Sequence, residues 1–148
     1  MYTSQPIIFY DGLCGLCDKS VQFILKHDKQ ERFLFCALQS NYAQQILGDN
    51  ISFDSFILFD NGRVYTQSTG ALITLKKLGG FWQLLYVFVV IPAFVRDAVY
   101  RYIANNRYRW FGKYDACKIP TPQQKKRFIV WLIYKGKSKF LALTKKQI

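Results

Sequence analysis

The stretch Tyr10-Asp11-Gly12-Leu13-Cys14-Gly15-Leu16-Cys17 joins two segments of different periodicity. Before it runs an extended apolar stretch, Pro6-Ile7-Ile8-Phe9; after it Cys17, Val21, Ile24 and Leu25 fall on one helical face. Cysteines two residues apart at a strand-to-helix junction take the form of a redox dithiol. A thiolate at a helix N-terminus meets unpaired backbone N–H groups and the positive end of the macrodipole, both of which stabilise it. Two intervening residues let the second thiol attack a mixed disulfide formed on the first. Cys14 is therefore expected at the helix start, exposed, as nucleophile, and Cys17 one turn in, more buried, as resolving thiol. Gly12 is expected to give the turn a positive φ or room for close backbone approach. The bland alternative is a structural pair, half of a zinc site or two small core residues; the strand-then-helix context favours redox chemistry.

The 148 residues suffice for one domain with a real core, and a hydrophobic share of 51% excludes a disordered chain. Four cysteines make a poor disulfide framework for this length. Met1 to Pro6 shows no basic segment leading into an apolar one, so a cytoplasmic protein with reduced thiols is expected. Charge is unevenly placed. Residues 1–80 balance 7 Lys/Arg against 7 Asp/Glu, whereas residues 81–148 hold 14 Lys/Arg against Asp97 and Asp115, which accounts for the whole net charge of +12. Such a half calls for an anionic partner (nucleic acid, acidic lipid or acidic protein), or is simply a basic solvated face with a basic tail.

Further along, a helix ending near His27-Asp28 gives way to Arg32–Leu38, apolar at both alternating sets as in a strand covered on both faces. Strand, helix and strand over this length form a parallel βαβ unit. Cys36, mid-strand, is expected to be an inert buried thiol. Asn41 to Leu47 forms a short helix closed by Gly48. Ser55–Phe59 and Arg63–Gln67 flank Asn61-Gly62, a type I′ hairpin signal. Ser68 to Leu78 returns to helical spacing until Gly79-Gly80 stops it. The order β-α-β-α-β-β-α is the minimal thioredoxin-like plan, an α/β three-layer sandwich over residues 1–80.

From Leu78 to Val95 no charged residue occurs. Gly79, Gly80, Gln83 and Pro92 shorten the continuous apolar part, so a buried helix broken near Pro92 is expected rather than a transmembrane span, with partial membrane insertion left open. The helix is expected to continue over Ala93–Asn105, with Phe94, Val95, Ala98, Val99 and Tyr102 as its apolar face. Arg107 and Arg109 sit in a basic–aromatic cluster, Arg107-Tyr-Arg-Trp-Phe-Gly112, and would stack on bases or a flat ligand or, as is more common, pack their stems on the core and cap a helix C-terminus. The single-domain organisation expected is a core over 1–80, a helical extension over 81–128 packed on it, and a basic tail over 129–148. Lys125 to Ile148 reads as an added strand or helix, or as a basic amphipathic membrane-surface segment.

Two separated motifs carry a resemblance. Phe9-Tyr-Asp-Gly-Leu-Cys-Gly-Leu-Cys17 resembles the signature of the DCC family of thiol-disulfide oxidoreductases, with Asp11, Cys14 and Cys17 as its Asp-Cys-Cys triplet. Arg96-Asp97, Tyr100, Asn106–Gly112 and Asp115–Pro122 are similar to that family's C-terminal half. The resemblance spans roughly residues 6 to 128 and implies a thioredoxin-like domain with a helical C-terminal extension. It also implies a family position at Cys117, either a third thiol near the pair or a packing residue. Two departures from ordinary thioredoxins stand out: Asp54-Ser55 replaces a proline before the third strand, and Gly15-Leu16 lies between the cysteines.

The function expected is dithiol–disulfide exchange by Cys14 and Cys17, with Asp11 either a proton-transfer group or a turn-capping residue. Gly12, Cys117, Arg107 and Arg109 are supporting candidates. The expected partners are a protein or small-molecule disulfide and an external thiol reductant, with no cofactor beyond the redox disulfide. A metal site is disfavoured because there is no second CxxC. A third reading makes the protein a peripheral module docked on an anionic membrane. Without a recognised nucleic-acid motif, lipid is the better match than nucleic acid.

Overall fold

The computed structural model describes residues 5–48, 56–113 and 121–129. The sheet-building half runs β1 (Ile7–Tyr10), α1 (Gly15–His27), β2 (Leu34–Ala37), α2 (Asn41–Leu47), β3 (Ile57–Asp60), β4 (Arg63–Thr66) and α3 (Gln67–Leu78). Strands are ordered β2-β1-β3-β4. β1 and β2 are parallel, with Ile7 opposite Leu34, and β3 is antiparallel to both β1 and β4. This mixed α/β sheet is consistent with a thioredoxin-like fold.

Local chemistry accounts for the boundaries. Ser40 Oγ accepts the Ala43 N–H at 3.2 Å and starts α2, while Gly48, at φ 72°, ends it. Asn61 and Gly62 take φ 49° and 79° between the paired Asp60 and Arg63, so the hairpin uses the type I′ turn its sequence announces. Gly79, at φ 78°, closes α3.

Side chains alternating along the strands feed two cores. Ile7, Phe9, Leu34, Cys36, Ile57 and Phe59 pack against Tyr42, Ala43, Ile46 and Leu47 of α2. On the opposite face Ile8, Phe35 and Leu58 meet Val21 and Ile24 of α1 and Leu78 of α3. Helices thus cover both faces, which explains why β1, β2 and β3 are apolar almost throughout. Phe128 stacks on Phe35 at 5.5 Å, and buried Arg127 donates to the Asp28 carboxylate and to the Phe33 carbonyl, pinning residues 125–129 against the edge strand β2.

The segment after α3 departs from expectation. Gly80–Val90 is a 3-10 helix in which no residue is buried, rather than a buried helix. Trp82 anchors it by its ring contacts with Phe23 and His27. After Pro92 the chain turns into α4 (Ala93–Phe111), bent by 117° from the 3-10 helix. Among the described residues no single helix is long and apolar enough to cross a membrane.

The face of α4 is inverted relative to the sequence expectation. Phe94, Val99 and Tyr102 are 74%, 57% and 64% exposed, whereas Arg107 is buried and Tyr100 is half-buried. Specific polar bonds hold that orientation. The Tyr100 hydroxyl accepts the Phe56 N–H at 2.7 Å, Ser68 donates to the Asp97 carboxylate, and Arg107 reaches Asp11.

Candidate active site

Cys14 is the N-cap residue of α1, in extended conformation, and Cys17 stands in the helix's first turn. Both are free thiols. Their exposures are the reverse of the sequence expectation: Cys14 is wholly buried and Cys17 is half-buried. The cause is the far end of α4. Lys113 forms an antiparallel bridge with Cys14, and the Gly15 N–H donates to the Gly112 carbonyl at 3.2 Å. A Cβ at Gly15 would lie 2.2 Å from the Phe111 carbonyl oxygen. The first of the two residues between the cysteines is glycine because backbone passes directly over it. Lys19 of α1 sits 5.2 Å from the Phe111 ring, adding a second contact to this strap.

Beneath the strap Asp11 organises the turn. Its 4% exposed carboxylate accepts from the Leu13 N–H at 2.9 Å, Gln39 Nε2 at 2.7 Å, Arg107 at 3.1 Å and the Tyr108 hydroxyl. Burial alone would raise its pKa, but the Tyr108, Leu13 and Gln39 hydrogen bonds and the Arg107 charge together hold it below the usual carboxylate value. Asp11 is thus an anion surrounded by donors. Gly12 has no positive φ, so the first of its two expected roles does not hold; its N–H donates to Gln39 Oε1 at 3.2 Å.

The Cys17 thiol is pushed up to about 12, first by burial and then by the charge and hydrogen bond of Cys14, with Arg107 acting in the opposite sense. Cys17 also lines a groove of about 440 Å³ between α1, α3 and α4, with Phe23, Phe56, Leu75 and Tyr100 among its mostly apolar walls. Such a volume suits a small apolar group.

Of the expected site residues, Asp11, Gly12, Cys14, Cys17 and Arg107 come together, while Arg109 points outward from α4. Cys117 and the Asp54-Ser55 position lie outside the described residues. Cys36 is buried on the other side of the sheet, with Ser40 Oγ at 3.0 Å, and burial raises its thiol to about 11, as suits an inert packing residue. No group of three His, Cys, Asp or Glu side chains able to hold a metal occurs among the described residues. Gln39 was not singled out by sequence, and Gly15 only as a departure between the cysteines, not as the residue under the strap. Gln39 lies 28 residues from Asp11, with no local pattern marking it.

A pair of thiols held at a strand-to-helix turn is the architecture of dithiol redox proteins as a class. The chain belongs to the DCC1-like thiol-disulfide oxidoreductase family, whose model matches residues 8–113. It is 43% identical over 127 residues to the uncharacterized protein YuxK of Bacillus subtilis, covering 83% of this chain and 93% of that one. A chloroplastic DCC family protein of Arabidopsis thaliana is 38% identical over 122 residues, covering 78% of this chain and 70% of its relative. No solved structure matches the chain.

Proposed function

We propose that the protein is a thioredoxin-like dithiol–disulfide oxidoreductase in which Cys14 attacks and Cys17 resolves. The observation that carries this reading is the placement of the pair: Cys14 is the N-cap of α1, at the positive end of the helix where a thiolate is stabilised, and Cys17 follows in the first turn, its thiol pushed up by burial. That leaves Cys14 to supply the attacking sulfur.

In the first step the Phe111–Lys113 strap opens from Cys14, and the Cys14 thiolate displaces one sulfur of a substrate disulfide, forming a mixed disulfide and releasing a thiolate. The part of the Cys17 shift that comes from the Cys14 charge then disappears, because Cys14 no longer carries it, and Arg107 favours the Cys17 anion. The departing thiolate takes the Cys17 proton. Cys17 attacks Cys14 Sγ, the second substrate sulfur leaves as a thiolate that takes its proton from water, and the pair is left as a disulfide, oxidised by two electrons. An external dithiol returns those electrons. The apolar groove at Cys17 favours substrates whose disulfide carries an apolar neighbour. Asp11 and Arg107 act as positioning residues, holding the cysteine turn and the strap in register.

Trapping of a mixed disulfide tests the order of attack. A Cys17→Ser variant mixed with an aryl disulfide is expected to retain the aryl thiol on Cys14, seen by peptide mass spectrometry, while Cys14→Ser retains none. Capture on Cys17 in the Cys14→Ser protein, with none on Cys14 in the other, reverses the roles. Capture on neither removes the exchange reading altogether.

A further inference from the structure

Fourteen of the fifteen large hydrophobic side chains exposed among the described residues lie between Phe81 and Phe111. Soluble surfaces scatter such residues singly, and a concentration of this kind marks a contact with something apolar. The outward orientation is fixed from the inside. The opposite side of α4 is bound to the core through Asp97, Tyr100 and Arg107, so the helix cannot roll its apolar face inward without breaking all three attachments.

Charge selects the occupant. Arg101, Arg109 and Lys113 are exposed on or beside this face, and the carboxylate within the segment, Asp97, is turned inward to Ser68. A second copy of the chain would bring these cations against their own counterparts, with no carboxylate of the segment to meet them. An anionic lipid surface satisfies both features, accepting Phe, Val and Ile side chains below the headgroups and Arg and Lys at their level. Tyr102 and Trp110, whose rings meet at 5.7 Å on the outer side of α4, have the amphipathic character favoured at that depth.

We infer that the 3-10 helix and α4 form a docking face by which the protein lies on an anionic membrane surface. The helices lie on the bilayer without crossing it, and this inference stands whether or not the cysteines exchange disulfides.

Flotation of the full chain with vesicles tests it. Vesicles of phosphatidylcholine alone are compared with vesicles carrying about 30 mol% phosphatidylserine, at about 0.1 M and about 1 M salt. The chain is expected to float with the anionic vesicles, more weakly at high salt. An Arg101→Gln/Arg109→Gln variant is expected to bind them about thirty-fold more weakly, from roughly fivefold for each charge near the surface. A Phe94→Ser/Val99→Ser variant is expected to lose about tenfold or more on both vesicle types. All four side chains are exposed, so an unchanged urea midpoint certifies the fold of each variant. Absence of flotation with anionic vesicles overturns the inference, as does flotation that neither double variant weakens. Dimerisation abolished by Phe94→Ser/Val99→Ser, or binding to polyglutamate, either without vesicle binding, assigns the face to a protein partner and overturns it equally.

Discussion

Replacing Gly15 with alanine probes how the extension and the cysteine turn depend on each other. The added methyl would lie 2.2 Å from the Phe111 carbonyl oxygen, a backbone atom that cannot rotate away. Overpacking of this kind costs about 1–3 kcal/mol. Displacing the strap also weakens the bond from the Gly15 N–H to the Gly112 carbonyl, a further ~1 kcal/mol. Against this, alanine in a helix gains about 0.5–1 kcal/mol over glycine. The net expectation is a loss of about 2 kcal/mol, concentrated where Phe111–Lys113 crosses the start of α1. Cys14 is sealed by that crossing, so its labelling rate should rise about thirty-fold as the open population grows. Urea unfolding followed by tryptophan fluorescence gives the first quantity, and iodoacetamide labelling with site assignment by mass spectrometry gives the second. A variant as stable as the parent, with Cys14 labelled at the parental rate, would refute the strap as the seal.

Two predictions concern titration. Asp11→Asn leaves the Arg107 guanidinium buried without its carboxylate, and a loss of about 3–5 kcal/mol is expected near neutral pH. Because the folded-state pKa of Asp11 lies below 3.8, its contribution is present above that value and is lost as pH falls through the lower folded value. The stability gap between parent and variant should therefore narrow in strong acid, and a gap constant with pH in urea melts would contradict the ionised assignment. For Cys17, removing the Cys14 charge in Cys14→Ser should bring the thiol down from about 12, while burial keeps it above the free value of about 8.5. A pH profile of Cys17 alkylation that stays near 12, or falls to the free-thiol value, would show that one of the two causes is absent.

The sheet and its helices were legible because their signals are local. Alternation, helical spacing, Asn61-Gly62 and Gly48 each act within a few residues, and all produced the elements they announce. Exposure at the cysteines was not legible, since the strap that seals Cys14 arrives about a hundred residues later. Nothing in Gly15 itself tells a helix-start glycine from one under a carbonyl. Gln39 was invisible for the same reason.

The helix α4 misleads for a different reason. Periodicity assigns an apolar face to the core because burying apolar surface is favourable, at about 25 cal/mol per Å². That rule presumes the opposite face has nothing better to do than meet water. Here Asp97, Tyr100, Arg107 and Tyr108 each have a defined partner in the first half of the chain, and Asp11 depends on two of them. Turning the apolar face inward would strand an anionic Asp11 beneath the cysteine turn, and breaking such a buried pair costs about 3–5 kcal/mol. The same bonds bring Phe111–Lys113 over Cys14. The exposed apolar face and the covered thiol are therefore two consequences of one choice, the seating of α4 by its polar side.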